Sequence, residues 1–157
     1  MQAATVQAKH GQHYSHAALG PLGQLSQYGF VMPPLGERPV PGKVFLQAPL
    51  ALTGAEVSFG LLPAGLGMPF LHRHREHEEI YLFLRGSGEV QVDDALLPVE
   101  EGSVVRVAPP AARALRNTGE EGLVYIVLQV QQNSLHVGTI DDGELLADKP
   151  AWCRQDG

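Results

Sequence analysis

The chain has 157 residues, enough for one domain with a substantial core but short for two ordinary domains. Hydrophobic residues make up 44% of the sequence, which favours a globular protein. The net charge is −6. The negative charge argues against a nucleic-acid partner, because contact with phosphates requires a basic surface. No apolar run approaches the roughly 20 residues that cross a bilayer, so no membrane partner is expected.

The sequence favours a cytoplasmic protein. Residues 1–20 lack the apolar core of a signal peptide. Cys153 is the single cysteine, so the chain cannot form a disulfide within itself. The absence of a disulfide is most simply explained by a location in a reducing compartment.

Proline and glycine, 12 and 18 residues, interrupt the chain at short intervals, which favours many short strands joined by turns. Residues 1–40 show little periodicity and are predicted to form an N-terminal arm. Residues 41–135 are predicted to form a β-barrel, and residues 136–157 a C-terminal tail that packs on it. No segment keeps a 3.6-residue apolar stripe long enough to predict a helix. The predicted strands are Lys43–Gln47, Ala55–Leu62, Met68–His74, Glu79–Arg85, Glu89–Val92, Ala95–Val99, Ser103–Ala108, Ala112–Asn117 and Gly122–Val130, with a tight turn at residues 92–95.

Two of these strands, Glu79–Arg85 and Gly122–Val130, are apolar on both faces. In Glu79–Arg85, Tyr81 and Phe83 share a face with Glu79, while Ile80 and Leu82 lie on the other face. Such a strand needs cover on both sides. One side would be the interior of a sandwich or barrel, and the other would meet a second sheet, the arm or a partner subunit. A homodimer is therefore predicted.

The stretch from Gly67 to Gly86 carries the chemistry. His72 and His74 are two residues apart, so on a strand they point to the same face. Glu79 follows on the next predicted strand and adds a carboxylate. Two imidazoles and one carboxylate with open positions suit a divalent transition metal such as Fe, Mn, Zn or Ni. The alternative is that all three are surface residues of a charged loop.

This stretch resembles the first motif of the cupin superfamily: glycine, a spacer, His-x-His, a spacer, Glu, six residues and Gly. The second cupin motif falls on Gly102, Pro109, Ala111, Arg113 and Asn117, with Ala111 replacing a glycine and Arg113 replacing the third histidine. The segments around residues 42–150 are similar to single-domain bacterial cupins without an assigned activity. The resemblance implies an all-β, double-stranded β-helix of the jelly-roll type. It also implies a metal site at His72, His74 and Glu79.

Arg113 is the main departure from that pattern, since a guanidinium cannot ligate a metal. One hypothesis is that Arg113 binds an anionic substrate group through its planar fork. The other is that it pairs with Glu79 or turns outward and leaves a weakened metal site. A shift of one residue in register would turn Arg116 inward instead.

Other candidates have weaker support. His77 shares parity with Glu79 and is a possible extra ligand, although a turn would leave it exposed. Tyr81 is expected to line the barrel, and its hydroxyl is a candidate contact for a small-molecule ligand. Asn117 is expected to close a turn. His10, His13 and His16 are expected to bind metal only adventitiously.

Three functions remain open from the sequence. The leading hypothesis is a metal-dependent enzyme acting on a small polar or anionic metabolite, similar to a sugar-phosphate isomerase or epimerase. Glu78 or His77 at the rim would be candidates for moving protons. The second hypothesis is an Fe(II)-dependent dioxygenase. The third is a non-catalytic module that binds a ligand or metal, since fold alone does not choose among activities.

Overall fold

The computed structural model describes residues 3–138 and 140–153. Strands dominate the described residues, which contain one four-residue α-helix, α1 (Gln47–Leu50). Short 3-10 helices lie at Leu22–Gln27, Pro33–Leu35 and Ala151–Cys153. The strands are β1 (Ala8–His10), β2 (Ser15–Ala17), β3 (Gly29–Phe30), β4 (Val40–Pro41), β5 (Lys43–Phe45), β6 (Glu56–Leu62), β7 (His77–Arg85), β8 (Ser87–Val92), β9 (Ala95–Glu100), β10 (Val104–Val107), β11 (Arg113–Asn117) and β12 (Leu123–Gln131).

Two antiparallel sheets form the barrel. One has five strands in the order β10-β7-β12-β6-β5, and the other has three in the order β11-β8-β9. Neighbouring strands are often distant in sequence, as where β12 lies between β7 and β6, which is the crossing pattern of a jelly roll. The all-β, double-stranded β-helix architecture predicted from the sequence is confirmed.

The alternation of inward and outward side chains along the strands determines which residues form the core. Tyr81 and Phe83 on β7, and Tyr125 and Val127 on β12, are buried between the two sheets. The turn predicted at residues 92–95 joins β8 to β9, and Asp93 takes the left-handed conformation with φ of 49°. Gly86 also has a positive φ, 86°, and a Cβ there would lie 2.9 Å from the carbonyl oxygen of Gly122. The glycine that ends the motif is therefore required by the backbone.

A second core lies outside the five-stranded sheet. Leu25 and Tyr28, from the region expected to be an irregular arm, are buried against Val44, Leu46 and Val124. This part of the arm thus covers the outer face of β5, β6 and β12. The arm also contains structure that the sequence reasoning missed. Strands β1 and β2 form a hairpin, with His10 opposite Ser15 and Lys9 opposite His16.

The prediction of a strand at Met68–His74 is wrong. This segment pairs with β11 only through isolated bridges, Gly67 with Arg116 and His72 with Arg113. Pro69 has no amide hydrogen to donate, which interrupts a continuous ladder. The segment still runs alongside β11, because the backbone nitrogens of Met68 and His72 donate to the carbonyl oxygens of Leu115 and Arg113.

Most described residues of the tail are exposed. Four large apolar side chains there are largely accessible, with exposed fractions of 80%, 100%, 76% and 87% for Ile140, Leu145, Leu146 and Trp152. The expected packing of the tail on the barrel finds no support at these four side chains. Among the described residues, no helix has the length and apolarity needed to span a membrane.

Candidate metal centre

Three side chains that the sequence singled out meet at one end of the barrel. The potential ligand atoms of His72, His74 and Glu79 all lie within 4.8 Å of one another. Glu79 lies on the inner face of β7, near the start of that strand. The histidines lie in the irregular segment that runs alongside β11. Glu79 is only 3% exposed and is therefore not a surface residue of a charged loop.

The Glu79 carboxylate is held by several donors. Tyr81 donates its hydroxyl hydrogen to Oε2 at 2.7 Å, and Gln129 donates from Nε2 to Oε1 at 3.2 Å. Nε2 of His74 lies 3.1 Å from Oε1. These contacts fix the orientation of the carboxylate and leave its charge facing the two imidazoles.

The electrostatics keep Glu79 ionised. Burial by itself would raise the pKa of the carboxyl group. Contacts with His72 and Tyr81 and the positive potential of His74 and Arg113 outweigh burial and lower the pKa from 4.5 to about 2. Burial lowers the pKa of His74 below 6.5, and the attraction of Glu79 offsets this only in part. An ionised carboxylate and a neutral imidazole are the forms that bind a metal ion.

Arg113 points into the barrel and is fully buried, with an exposed fraction of 0%. Its Nε lies 3.2 Å from Oε2 of Glu79, and its Nη2 donates to the carbonyl oxygen of Ala108 at 3.3 Å. The alternative in which Arg113 turns outward is wrong, and so is the shifted register. Arg116 is exposed and forms an ion pair with Glu89 on the outer face.

Several buried polar atoms of this cluster make no hydrogen bond with any described residue: Nδ1 of His72, Nε2 of His74, and Nε and Nη1 of Arg113. Two of them, Nε2 of His74 and Nε of Arg113, lie within ion-pair distance of Glu79. Buried polar atoms normally form hydrogen bonds, so several without one at a single place indicate a missing ligand. Two imidazoles beside an ionised carboxylate fit a divalent transition metal.

The other predicted site residues take different positions. His77 is exposed and lies outside the three-residue cluster, with its ring 6.5 Å from that of His74. Tyr81 is buried as expected, and burial together with Glu79 raises the pKa of its hydroxyl. Because that hydroxyl donates to Glu79, its contact with a substrate remains a prediction. Glu78 lies on the opposite face and pairs with Arg106 at 2.6 Å, which removes it as a candidate for moving protons.

Sequence reasoning missed Gln129. It shares inner-face parity with Tyr125 and Val127 on β12, but only the register shows that it lies opposite Glu79. Asn117, expected to close a turn, does so: it donates to Leu62 and Glu121 and accepts from the amide of Gly119.

The comparisons with known proteins show the family and support the fold. The cupin domain family matches residues 59–129. A cupin protein from Bacteroides fragilis is 38% identical, with a TM-score of 0.64 over 66% of this chain and 88% of that one. The chain belongs to the cupin family. Cupins typically bind divalent metals, and the donor set at His72, His74 and Glu79 suits one.

Other relatives are more distant. A cupin 2 conserved barrel domain protein from Salinispora arenicola is 23% identical, with a TM-score of 0.50 over 57% of this chain and 75% of that one, and shares the fold. The glucose-6-phosphate isomerases of Pyrococcus horikoshii and Pyrococcus abyssi are 27% and 26% identical over 115 residues. The match covers 59% of this chain, which spans only 61% of the length of each isomerase.

Proposed function

We propose that this cupin is a metal-dependent isomerase of small sugar phosphates. One observation carries the proposal: His74, one of the three clustered residues, lines an open cavity together with two arginines. This cavity of about 440 Å³ is lined by Arg73, His74, Arg75 and Pro110. Its volume lies within the range of small-molecule sites. The distant similarity to glucose-6-phosphate isomerases supports the same class of substrate.

The rim would hold the phosphate group. Arg73 and Arg75 are both exposed and flank His74 along the chain. Arginine forks bind phosphate oxygens in pairs. Because Arg73 and Arg75 are adjacent to His74 in the sequence, an anion bound between them would place the rest of a short sugar phosphate next to this histidine.

A divalent ion held by His72, His74 and Glu79 would supply Lewis acidity toward a carbonyl or hydroxyl oxygen of the sugar. Tyr81 and Gln129 keep Glu79 in place for that ion. Arg113 has an unpaired Nη1, which would donate a hydrogen bond to a substrate oxygen beside Glu79. The surrounding aromatic core excludes water from below, so the substrate would enter from the rim.

Isomerisation of an aldose to a ketose moves a proton between adjacent carbons. His77 is the candidate for this step, because it has the inner-face parity of β7 and its ring lies 6.5 Å from that of His74. A neutral imidazole would accept the proton from one carbon and return it to the next. His77 is not needed for metal binding in this arrangement, so its replacement separates the two roles.

The proposal is tested by assaying the protein after reconstitution with Fe(II), Mn, Zn, Ni or Co. The substrates are aldose and ketose phosphates, beginning with glucose 6-phosphate and fructose 6-phosphate, alongside the same sugars without phosphate. We expect metal-dependent interconversion of a phosphorylated sugar, abolished in His74→Ala and retained in the matched variant His16→Ala. Arg73→Gln combined with Arg75→Gln should raise KM more than it lowers kcat. Stoichiometrically loaded protein that interconverts none of these substrates would overturn the proposal.

A further inference from the structure

A metal ion would account for only part of the unpaired atoms beside Glu79. Nε2 of His72 lies 3.7 Å from Oε2 of this carboxylate, and Nε2 of His74 lies 3.1 Å from Oε1, so both nitrogens face the place of the ion. Two other buried atoms, Nδ1 of His72 and Nη1 of Arg113, form no hydrogen bond with any residue that the structure describes. A ring that ligates through Nε2 does not bind the same ion through Nδ1, and a guanidinium does not ligate metals. These two atoms therefore require a different partner.

His72 and Arg113 are direct neighbours across a backbone bridge. The backbone nitrogen of His72 donates to the carbonyl oxygen of Arg113 at 3.1 Å, and the nitrogen of Arg113 donates to the carbonyl oxygen of His72 at 2.8 Å. Residues opposite one another in an antiparallel pair share a face, with Cβ atoms about 5 Å apart. Both side chains therefore start side by side on the inner face, and Nε of Arg113 lies 3.2 Å from Oε2 of Glu79.

Both unpaired atoms are hydrogen-bond donors in the metal-loaded protein. A neutral imidazole that ligates through Nε2 carries its proton on Nδ1. The guanidinium of Arg113 is always protonated, and its Nη2 donates to the carbonyl oxygen of Ala108 at 3.3 Å, which holds the group in place. Buried donors normally have acceptors. The partner that fits two neighbouring donors is a ligand with acceptor oxygens.

The charge of the metal-loaded site favours an acceptor that is negatively charged. Without an ion, the carboxylate of Glu79 and the guanidinium of Arg113 offset each other. A divalent ion adds two positive charges, and Glu79 is the one carboxylate of the cluster among the described residues. Net charge in a buried place is costly unless an opposite charge compensates it. A carboxylate ligand has two oxygens for two donors and would offset part of the excess charge.

Burial limits the size of this ligand. The side chain of Arg113 is fully buried, whereas that of His72 is 31% exposed. The His72 ring lies 5.5 Å from the ring of His74, which lines the open cavity beside Arg73 and Arg75. A group of a few atoms can therefore reach the imidazole from the side of that cavity, and only a small group fits against the buried guanidinium.

We propose that His72 and Arg113 form a binding site for a small carboxylate, of the size of formate or acetate, which is occupied together with the metal centre. The two oxygens of the carboxylate accept from Nδ1 of His72 and Nη1 of Arg113. By linkage, the ion and the carboxylate raise each other's affinity by the same factor. The inference needs the metal centre but does not depend on the proposed isomerase activity.

The affinity for zinc tests this coupling. Protein stripped of metal is titrated with zinc in competition with a chromophoric chelator, in sodium formate and in sodium perchlorate of equal ionic strength. We expect formate to tighten zinc binding at least about tenfold relative to perchlorate. Equal zinc affinity in the two salts, or no zinc binding in either, would overturn the inference. Because the readout is zinc affinity, this failure is distinct from failure of the isomerase assay.

Two variants locate the carboxylate. Arg113→Gln removes a charged donor and one positive charge, so its zinc affinity should rise in perchlorate and change less than about twofold in formate. Arg116→Gln is the matched control, because Arg116 is exposed and paired with Glu89 on the outer face. It should keep the formate dependence of the wild type. The same formate dependence in Arg113→Gln as in the wild type would place the carboxylate elsewhere.

The wild-type protein provides a second readout that does not require a folded Arg113→Gln variant. In nuclear magnetic resonance spectra of zinc-loaded protein labelled with ¹⁵N-histidine, a hydrogen-bonded Nδ1–H of His72 should exchange slowly with water. We expect its proton signal in formate and not in perchlorate. Identical histidine N–H spectra in the two salts would contradict a carboxylate bound at His72.

Discussion

At Glu79, several side chains converge on one buried carboxylate. Tyr81 and Gln129 orient it, Arg113 balances its charge, and the two imidazoles face it. Arg113 thus contributes to the site in a way that a third histidine would not. The guanidinium offsets the charge of the carboxylate and would repel a metal ion bound beside it. Under the proposed function, Arg113 would lower the metal affinity and supply a hydrogen-bond donor to the substrate.

Replacing Arg113 should therefore destabilise the metal-free protein strongly. Arg113→Gln leaves a buried carboxylate without its cation, which costs about 3 kcal/mol in the free energy of unfolding. Arg116→Gln is the matched control. Arg116 forms an exposed pair with Glu89, so its loss should cost less than about 1 kcal/mol.

Urea unfolding followed by circular dichroism measures both variants. Adding a divalent ion should recover part of the loss in Arg113→Gln, because the ion supplies the missing positive charge next to Glu79. Equal stability of the two variants would show that the buried pair does not contribute as described.

The sequence predicted the three side chains that meet at this site but not their supporting contacts. His72, His74 and Glu79 are close in sequence, and their spacing alone suggested a shared ion. Gln129 is distant from that motif along the chain and reaches Glu79 only through the register of β12. Register depends on long-range pairing, which a single sequence does not display.

At the scale of elements, the strands were predictable where apolar and polar residues alternate. Bounds of β6, β8 and β12 differ from the predicted ones by one or two residues. The failure at Met68–His74 has a local cause, since Pro69 breaks the hydrogen-bonding pattern that alternation suggested. The hairpin of β1 and β2 was missed because each strand has only three residues, too few to show a period.

Gly60 leaves room for the Tyr125 ring, and Nζ of Lys43 lies 5.0 Å from the centroid of that ring. Gly60→Ala would place a Cβ against Tyr125, so the ring must move and the free energy of unfolding should fall by about 2 kcal/mol. Gly54→Ala is the control, because no atom lies within 4 Å of a Cβ built there. Urea unfolding compares the two. A Gly60→Ala variant as stable as Gly54→Ala would show that the ring does not occupy this space in solution.

For the whole molecule, the outer face of the five-stranded sheet has two different surroundings. The arm covers it at β5, β6 and the start of β12, whereas β7 and β10 remain open. There Val104 lies opposite Leu82, which lies opposite Ile126, and Val104 is 63% exposed. An apolar row of this kind on a sheet face is typical of a surface that meets another chain.

We propose that a second copy of the chain covers this row and forms a homodimer. Light scattering coupled to size-exclusion chromatography should give twice the 16.9 kDa of one chain. Val104→Glu should shift the mass to that of a monomer. Leu145→Glu, at a fully exposed position in the tail, should leave it unchanged. A monomeric wild-type protein at micromolar concentration would exclude the dimer.

Metal content tests the central claim most directly. The protein is stripped with a chelator, reconstituted separately with Fe(II), Mn, Zn or Ni, desalted and analysed for metals. We predict about one ion per chain for at least one metal, with binding lost in His72→Ala and His74→Ala. The neighbouring exposed histidine provides the control, since His77→Ala should retain the ion. Absence of stoichiometric metal in the wild type, or equal metal content in His74→Ala, would contradict a metal centre at His72, His74 and Glu79.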